Sequence, residues 1–261
     1  MPVIGQHPDG DRHELRRRLR GSLARKPPPT GLPLLCRSIV VELDLTGATI
    51  TLMVDAGPQG VAAASGPDIT VADAAQFDVG EGPSRDAFST GQPVLVYDLA
   101  RTDGRWPAFV SGALARGMGA VYAFPLQLGA VRLGVLTCYS RRPRALGKEE
   151  LSVCAIYSEV ATGYLIDQSS GTAITPGLDE FLAAGVQIPT LVYQAQGMLT
   201  VDLGISLADA LARMRATAFA EGISLNELAA DIVADRRRLH PDRGDAGGPG
   251  PALRAPDSSD G

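Results

Sequence analysis

The chain has 261 residues, room for one large domain or two small ones. Hydrophobic residues make up 45% and charged residues 20%, which excludes wholesale disorder. The formal charge is −5, 24 Lys and Arg against 29 Asp and Glu, so a uniformly basic nucleic-acid binder is excluded and only a local basic patch remains open.

Residues 1–30 read as a polar, Arg-rich tail. Within it Leu15, Leu19 and Leu23 recur every fourth residue, so Glu14–Arg25 forms at most a short basic helix, ended by Pro27-Pro28-Pro29. Two readings stand: a solvated tail, or an arm toward an anionic partner. From Gly31 the pattern becomes domain-like. The periodicities predict a helix at Leu32–Leu43, a hairpin of strands Ala48–Val54 and Val61–Ser65 around Gly57-Pro58-Gln59-Gly60, and a short helix at Asp73–Phe77. The loop Gly80-Glu81-Gly82-Pro83-Ser84 opens a helix at Arg85–Thr90. Next come a strand Val94–Tyr97, a helix Pro107–Arg116, strands Ala120–Gln127 and Val131–Tyr139, and a long helix from Lys148 to about Gln168. That order predicts an antiparallel sheet flanked by helices, an α+β domain over 31–168.

A Ser/Gly/Pro-rich stretch, 169–186, reads as a linker. Three helices then follow in 187–240. The first stops at Gly204, in the usual C′ place, and the second runs from an N-cap at Ser206 to Gly222. The third opens with the capping box Ser224-x-x-Glu227 and runs to Leu239. Composition makes 241–261 a disordered tail.

The chemistry-bearing residues are few. His7, His13 and His240 all lie in the polar ends, which closes the common acid–base, triad and His-metal routes, so no enzyme, metal or cofactor is expected. Cys36, Cys138 and Cys154 sit in apolar runs without close pairing and read as buried free thiols of a reduced cytoplasm. There is no secretory pattern at the N-terminus and no membrane-length apolar run. Gly80 and Gly82 resemble a phosphate-cradling loop without its lysine, and more simply shape a pocket wall; Trp106 is a lid over that pocket or a packing anchor. In the second C-terminal helix, Leu207, Ala210, Leu211, Met214 and Ala218 form the core stripe, and Arg213 and Arg215 flank it, with Arg215 toward solvent at its rim. Arg236, Arg237 and Arg238 are read as the last turn of the third helix, where they complement its dipole.

Two stretches are familiar. The strings VYQAQGML at 192–199, GISLADALARMRATAFA at 204–220 and LNELAADIV at 225–233 resemble an ANTAR domain, the three-helix RNA-binding module of bacterial antitermination regulators. The strings GEGPSRDAFSTGQPVLVYDL at 80–99, RWPAF at 105–109 and AFPLQLGAVRLGVL at 123–136 look like a GAF domain. The tandem is similar to actinobacterial GAF–ANTAR regulators. That resemblance implies a sensory GAF domain, with or without a small ligand, and ANTAR modules that bind paired stem-loops in nascent RNA. By position it places Ala195, Gly197, Arg215 and Ala218 on the characteristic ANTAR places. Arg213 and Tyr193 join them as chemically suitable donors and stackers, Tyr193 being equally readable as core. Gln196 departs from the family, where many members carry lysine, and the GAF cyclic-nucleotide pattern is absent. Paired stem-loops call for two modules, so a homodimer through the apolar stripe of 148–168 is expected. The alternative is a sensor or interaction protein whose ANTAR part binds RNA weakly or not at all.

Overall fold

The structure is a computed structural model that describes residues 8–23, 31–53, 59–168 and 189–239. The linker, the C-terminal tail and the first half of the 57–60 turn therefore lie outside the described residues.

Five strands form one antiparallel sheet in the order β2-β1-β5-β4-β3: β1 Gly47–Met53, β2 Gln59–Ala64, β3 Val94–Val96, β4 Ala120–Leu128 and β5 Val131–Ser140. Strand alternation divides the side chains between two faces. Ala48, Ile50, Tyr122, Phe124, Leu136 and Cys138 face one side, where they pack with helices α2 (Leu32–Glu42) and α6 (Lys148–Gln168). Val121 and Tyr139 face the other side, with Phe109 and Leu99, as do Ala123 and Val135, with Ala87 and Phe88. Helices α3 (Pro67–Val79), α4 (Pro83–Thr90) and α5 (Pro107–Ala115) cover that second side. The α+β layer architecture expected from element order is the one observed.

Three differences have clear physical causes. Helix α1 (Pro8–Leu23) is not a free tail: Leu19 is 3% exposed in the first core, and Leu15 packs beside it. Its basic side chains stay at the surface and pair across the seam, Arg16 with Glu159 at 2.8 Å and Arg18 with Glu42 at 2.7 Å. Second, the apolar positions of α6 do not form an open stripe. Cys154, Val160 and Ala161 are buried against their own sheet, with Tyr164 and Leu165 packed beside them. Third, α3 runs over 13 residues rather than the five of Asp73–Phe77, because Pro67 starts it and Gly80, at φ +75°, stops it. Cys36, Cys138 and Cys154, distant in sequence, meet in the first core as free thiols, and burial pushes the Cys36 thiol up to about 12.

The C-terminal module comprises α7 (Thr190–Leu203), α8 (Leu207–Glu221) and α9 (Leu225–Val233). The caps are those read from the sequence. Gly204 is left-handed, the Ser206 side chain accepts from the Asp209 amide, and Ser224 and Glu227 form a full capping box. Val192, Leu199, Met214, Leu228 and Ile232 build its core. Helix α9 ends at Val233 rather than Leu239, because Asp235 takes a left-handed conformation and the chain turns back.

Candidate functional site

A buried polar cluster lies between α3, α4 and the second face of the sheet. Thr49 opposes Thr137 across β1 and β5, and Thr51 and Tyr139 follow on the same face by strand alternation. Asp73 points from α3 into this group. Its carboxylate accepts from Thr51 Oγ1 at 2.5 Å, Tyr139 OH at 2.6 Å and Gln76 Nε2 at 3.2 Å. Gln76 also donates to Ser84 Oγ at 2.7 Å and accepts from the Ser84 amide at 2.8 Å, and Ser84 bonds Thr137 at 2.8 Å. Burial pushes the Asp73 pKa up against the lowering effect of these donors, and burial beside Asp73 pushes Tyr139 up as well. Sequence reading missed this cluster. The only signal was polar residues at alternate positions of otherwise apolar strands, at 49, 51 and 137.

Beside it a cleft of about 260 Å³ opens at the junction of the two modules. Thr51, Thr70, Asp73 and Phe77 line it from one side, with Pro189 and Asn226 from the C-terminal module. Asp78 also borders it, and burial pushes its carboxyl up while Arg215 and Arg116 act in the opposite direction.

Gly80, Gly82 and Trp106, expected around a ligand, line none of this cleft. Gly82 N-caps α4 at φ +144°, and a Cβ there would run into the Gln76 carboxamide. The helix N-termini near the glycine loop are already occupied: the Ser84 amide gives its hydrogen to Gln76, and Glu81 Oε1 accepts from Ala108 N at 2.7 Å and Phe109 N at 3.2 Å. A phosphate cradle is thus replaced by internal carboxylate and carboxamide caps. Trp106 is a packing anchor, 7% exposed among Leu99, Phe109 and Ala113, with the Arg105 guanidinium 4.1 Å over its ring.

In the C-terminal module the six positions expected to contact RNA separate. Ala195 and Ala218 are buried in the core, so they support the surface from beneath. Gly197 is half-buried, with open space where a Cβ would be, and Arg213 is half-buried. Gln196 is buried and donates to the Leu207 carbonyl at 2.7 Å, tying α7 to the start of α8. That bond gives the departure from lysine a structural use.

Arg215 and Tyr193 meet the sensor module. Arg215 does not point to solvent at the stripe's rim; its Nε and Nη2 both donate to the Phe77 carbonyl, at 3.0 and 2.8 Å, and its guanidinium lies 5.2 Å over the Phe77 ring. Burial and then Arg85 push the guanidinium down to about 10, which leaves it charged at neutral pH. The Tyr193 ring packs against the same ring, tilted by 50° with centroids 5.8 Å apart. Arg236, Arg237 and Arg238 lie beyond the helix and pair with Asp231, Glu221 and Asp235. An exposed aromatic of the module is Phe219, 74% exposed and one turn beyond Arg215 on α8, a position the sequence reading left out.

The GAF domain family model matches residues 32–162, half of the chain, and the ANTAR domain model matches residues 189–233. The chain belongs to the GAF domain family and carries an ANTAR domain after it. This order is the architecture known from RNA-binding antitermination regulators, and both modules are regulatory rather than catalytic. Similar solved structures include the GAF domain of a phosphoenolpyruvate-protein phosphotransferase from Coxiella burnetii, 14% identical over 62% of this chain and 96% of that one, with a TM-score of 0.48. The corresponding domain from Acinetobacter is 10% identical over 62% and 97%, TM-score 0.45. A free methionine-R-sulfoxide reductase from Neisseria meningitidis is 14% identical over 63% and 94%, TM-score 0.43. No curated protein sequence matches. No helix among the described residues is long and apolar enough to cross a membrane.

Proposed function

We propose that the chain is a cytoplasmic RNA-binding regulator of transcription antitermination. In this reading the ANTAR module binds paired stem-loops in nascent RNA and the GAF domain governs it. The observation that carries the reading is the order of the two matched domains, a GAF domain and then an ANTAR module. The chemistry of α8 supports it. Arg215 and Phe219 are one helical turn apart, and an Arg215 released from Phe77 would offer a phosphate- or base-gripping fork beside a stacking ring, with Arg213 on the adjoining flank. The ligand class that best suits the cleft at the junction is a small hydrogen-bond donor, because Asp73 and Asp78 border it.

Paired stem-loops need two modules, so the reading includes a homodimer. Cys154, Val160 and Ala161 of 148–168 are taken up by the chain's own sheet, so a dimer through this helix would use its other side. Light scattering of the full chain, with and without RNA, is expected to find a dimer.

A second reading, a sensor or interaction protein with weak or no RNA binding, is favoured by one specific observation: Arg215 and Arg236–Arg238 all have partners within the chain. A salt series separates the two. Binding of host-transcript stem-loop pairs with an affinity that falls steeply with salt supports the first, because each phosphate contact releases counterions. No binding of any selected transcript at low salt supports the second.

A further inference from the structure

We propose that the contact of Arg215 with the end of α3 is an autoinhibitory latch: in the docked arrangement the sensor module holds the arginine that the ANTAR module would use on RNA. The inference rests on the RNA-binding reading above and adds how that activity is restrained.

The argument begins with the guanidinium. Arginine grips a phosphate or base edge with two parallel N–H donors. Here Nε and Nη2, which form one such edge, both point at the Phe77 carbonyl. That carbonyl belongs to the last turn of α3, the negative end of a helix dipole, and so imitates an anion. The Phe77 ring covers the guanidinium from its face. One donor edge cannot serve the carbonyl and a phosphate at once, so docking and RNA contact through Arg215 exclude each other.

The seat is shaped for this residue. Phe77 is 6% exposed and packs into the ANTAR core with Val192, Met214 and Leu228, although it belongs to the sensor. Tyr193 rests on the other part of its ring. Gly80 lies under the arginine, and a Cβ there would come within 3.0 Å of the Arg215 Cδ and Nη1 atoms. Meanwhile Phe219, one turn along the same helix, stays open to solvent. The latch therefore blocks part of a surface whose other part remains accessible.

The same helix connects the latch to the sensor's interior. Asp73 and Gln76, one turn and one residue before Phe77, hold α3 to β1, β5 and α4 through the buried polar cluster. Anything that rearranges those bonds moves the carbonyl and the ring that hold Arg215. The apparent affinity for RNA then scales with the undocked fraction. If docking outnumbers undocking by about ten to one, full release tightens binding about tenfold.

The test uses the full chain and a labelled RNA pool with two adjacent hairpins and randomised loops. Phe77→Ala removes the ring, and Gly80→Ala crowds Arg215 without touching the ANTAR core, while also straining the left-handed end of α3. Hydrogen exchange over residues 207–221 therefore reports undocking, independently of RNA. Both variants are expected to exchange faster there while residues 225–233 stay protected, and to bind the pool about five- to tenfold more tightly than the native chain. Adding Arg215→Ala to Phe77→Ala is expected to abolish the gain. Undocking with unchanged affinity would overturn the latch while leaving RNA binding intact. Unchanged exchange in both variants would overturn it as well, because the seat would not hold the modules together. Loss of binding in every variant, undocked ones included, would instead remove the RNA reading and the latch with it.

Discussion

Asp73 is a carboxyl group withdrawn from water and met by three donors, from Thr51, Tyr139 and Gln76. An amide in its place turns an N–H₂ toward groups that already donate. Asp73→Asn is therefore expected to lower stability by about 1–3 kcal/mol, the range for leaving a buried donor unmatched. The pH dependence follows from the raised pKa. A group raised in the fold contributes most below its unfolded pKa, and that contribution is lost as pH rises through the folded value. Asparagine does not titrate, so the gap in Tm between native and Asp73→Asn protein should narrow as pH rises from the acid range toward neutrality. Thermal melts of both proteins across that range check this; a gap that widens would mean that Asp73 is held as a favourable anion. Tyr139 and Thr51 explain why so polar a group survives in a core: each lies on the one strand face that α3 covers.

Among elements, the segment between α3 and α5 shows how a loop that resembles an anion site becomes a set of helix caps. Trp106 N-caps α5 with a left-handed backbone at φ 52° and offers no side-chain acceptor. Glu81 supplies the acceptor from a distant loop, to the amides of Ala108 and Phe109. Glu81→Ala is expected to cost about 1 kcal/mol, as losing an N-cap acceptor does, and Glu81→Gln less, because a carboxamide oxygen still accepts. Denaturant midpoints of the two variants read this directly. If both lie at the native value, the cap contributes nothing. Helix α1 makes the complementary point. Its arginines belong to surface ion pairs of small individual worth, so its attachment depends on leucines. Leu19→Ala is expected to destabilise the GAF domain by about 2–5 kcal/mol, the range for truncating a buried leucine. A loss near zero would mean that α1 sits only loosely on α2 and α6.

At the scale of the molecule, the two modules are joined where Phe77, a residue of the sensor's α3, packs into the ANTAR core. The sensor keeps its own cores above and below the sheet, and the ANTAR module's core of Met214, Leu199 and Leu228 takes in Phe77 from the sensor. The contact is centred on one ring and one arginine that gives two hydrogen bonds to one carbonyl, and the proposed latch would release it as a unit. Helix α3 also borders the cleft, carries Asp73 and Gln76 of the buried polar network, and ends at the carbonyl that Arg215 of α8 contacts.

The elements themselves were legible in the amino-acid order, because strands and helices are local and their signals are local. The alternation in β4 and β5, Pro83 at the start of α4, Gly204 at the end of α7 and the Ser224–Glu227 box all act within a few residues. The strings that resemble the GAF and ANTAR families were legible for the same reason, since each lies within one module. What the tertiary structure alone decided is where polar groups find partners. Arg215 turns onto Phe77 instead of solvent, Glu81 caps a helix 27 residues away, and Gln196 serves Leu207 rather than a phosphate. Arg236–Arg238 leave the helix to pair with acids, and the apolar face of α6 closes on its own sheet. Periodicity marks a face as apolar or charged, but the partner of that face comes from another part of the chain, and only folding brings the two together.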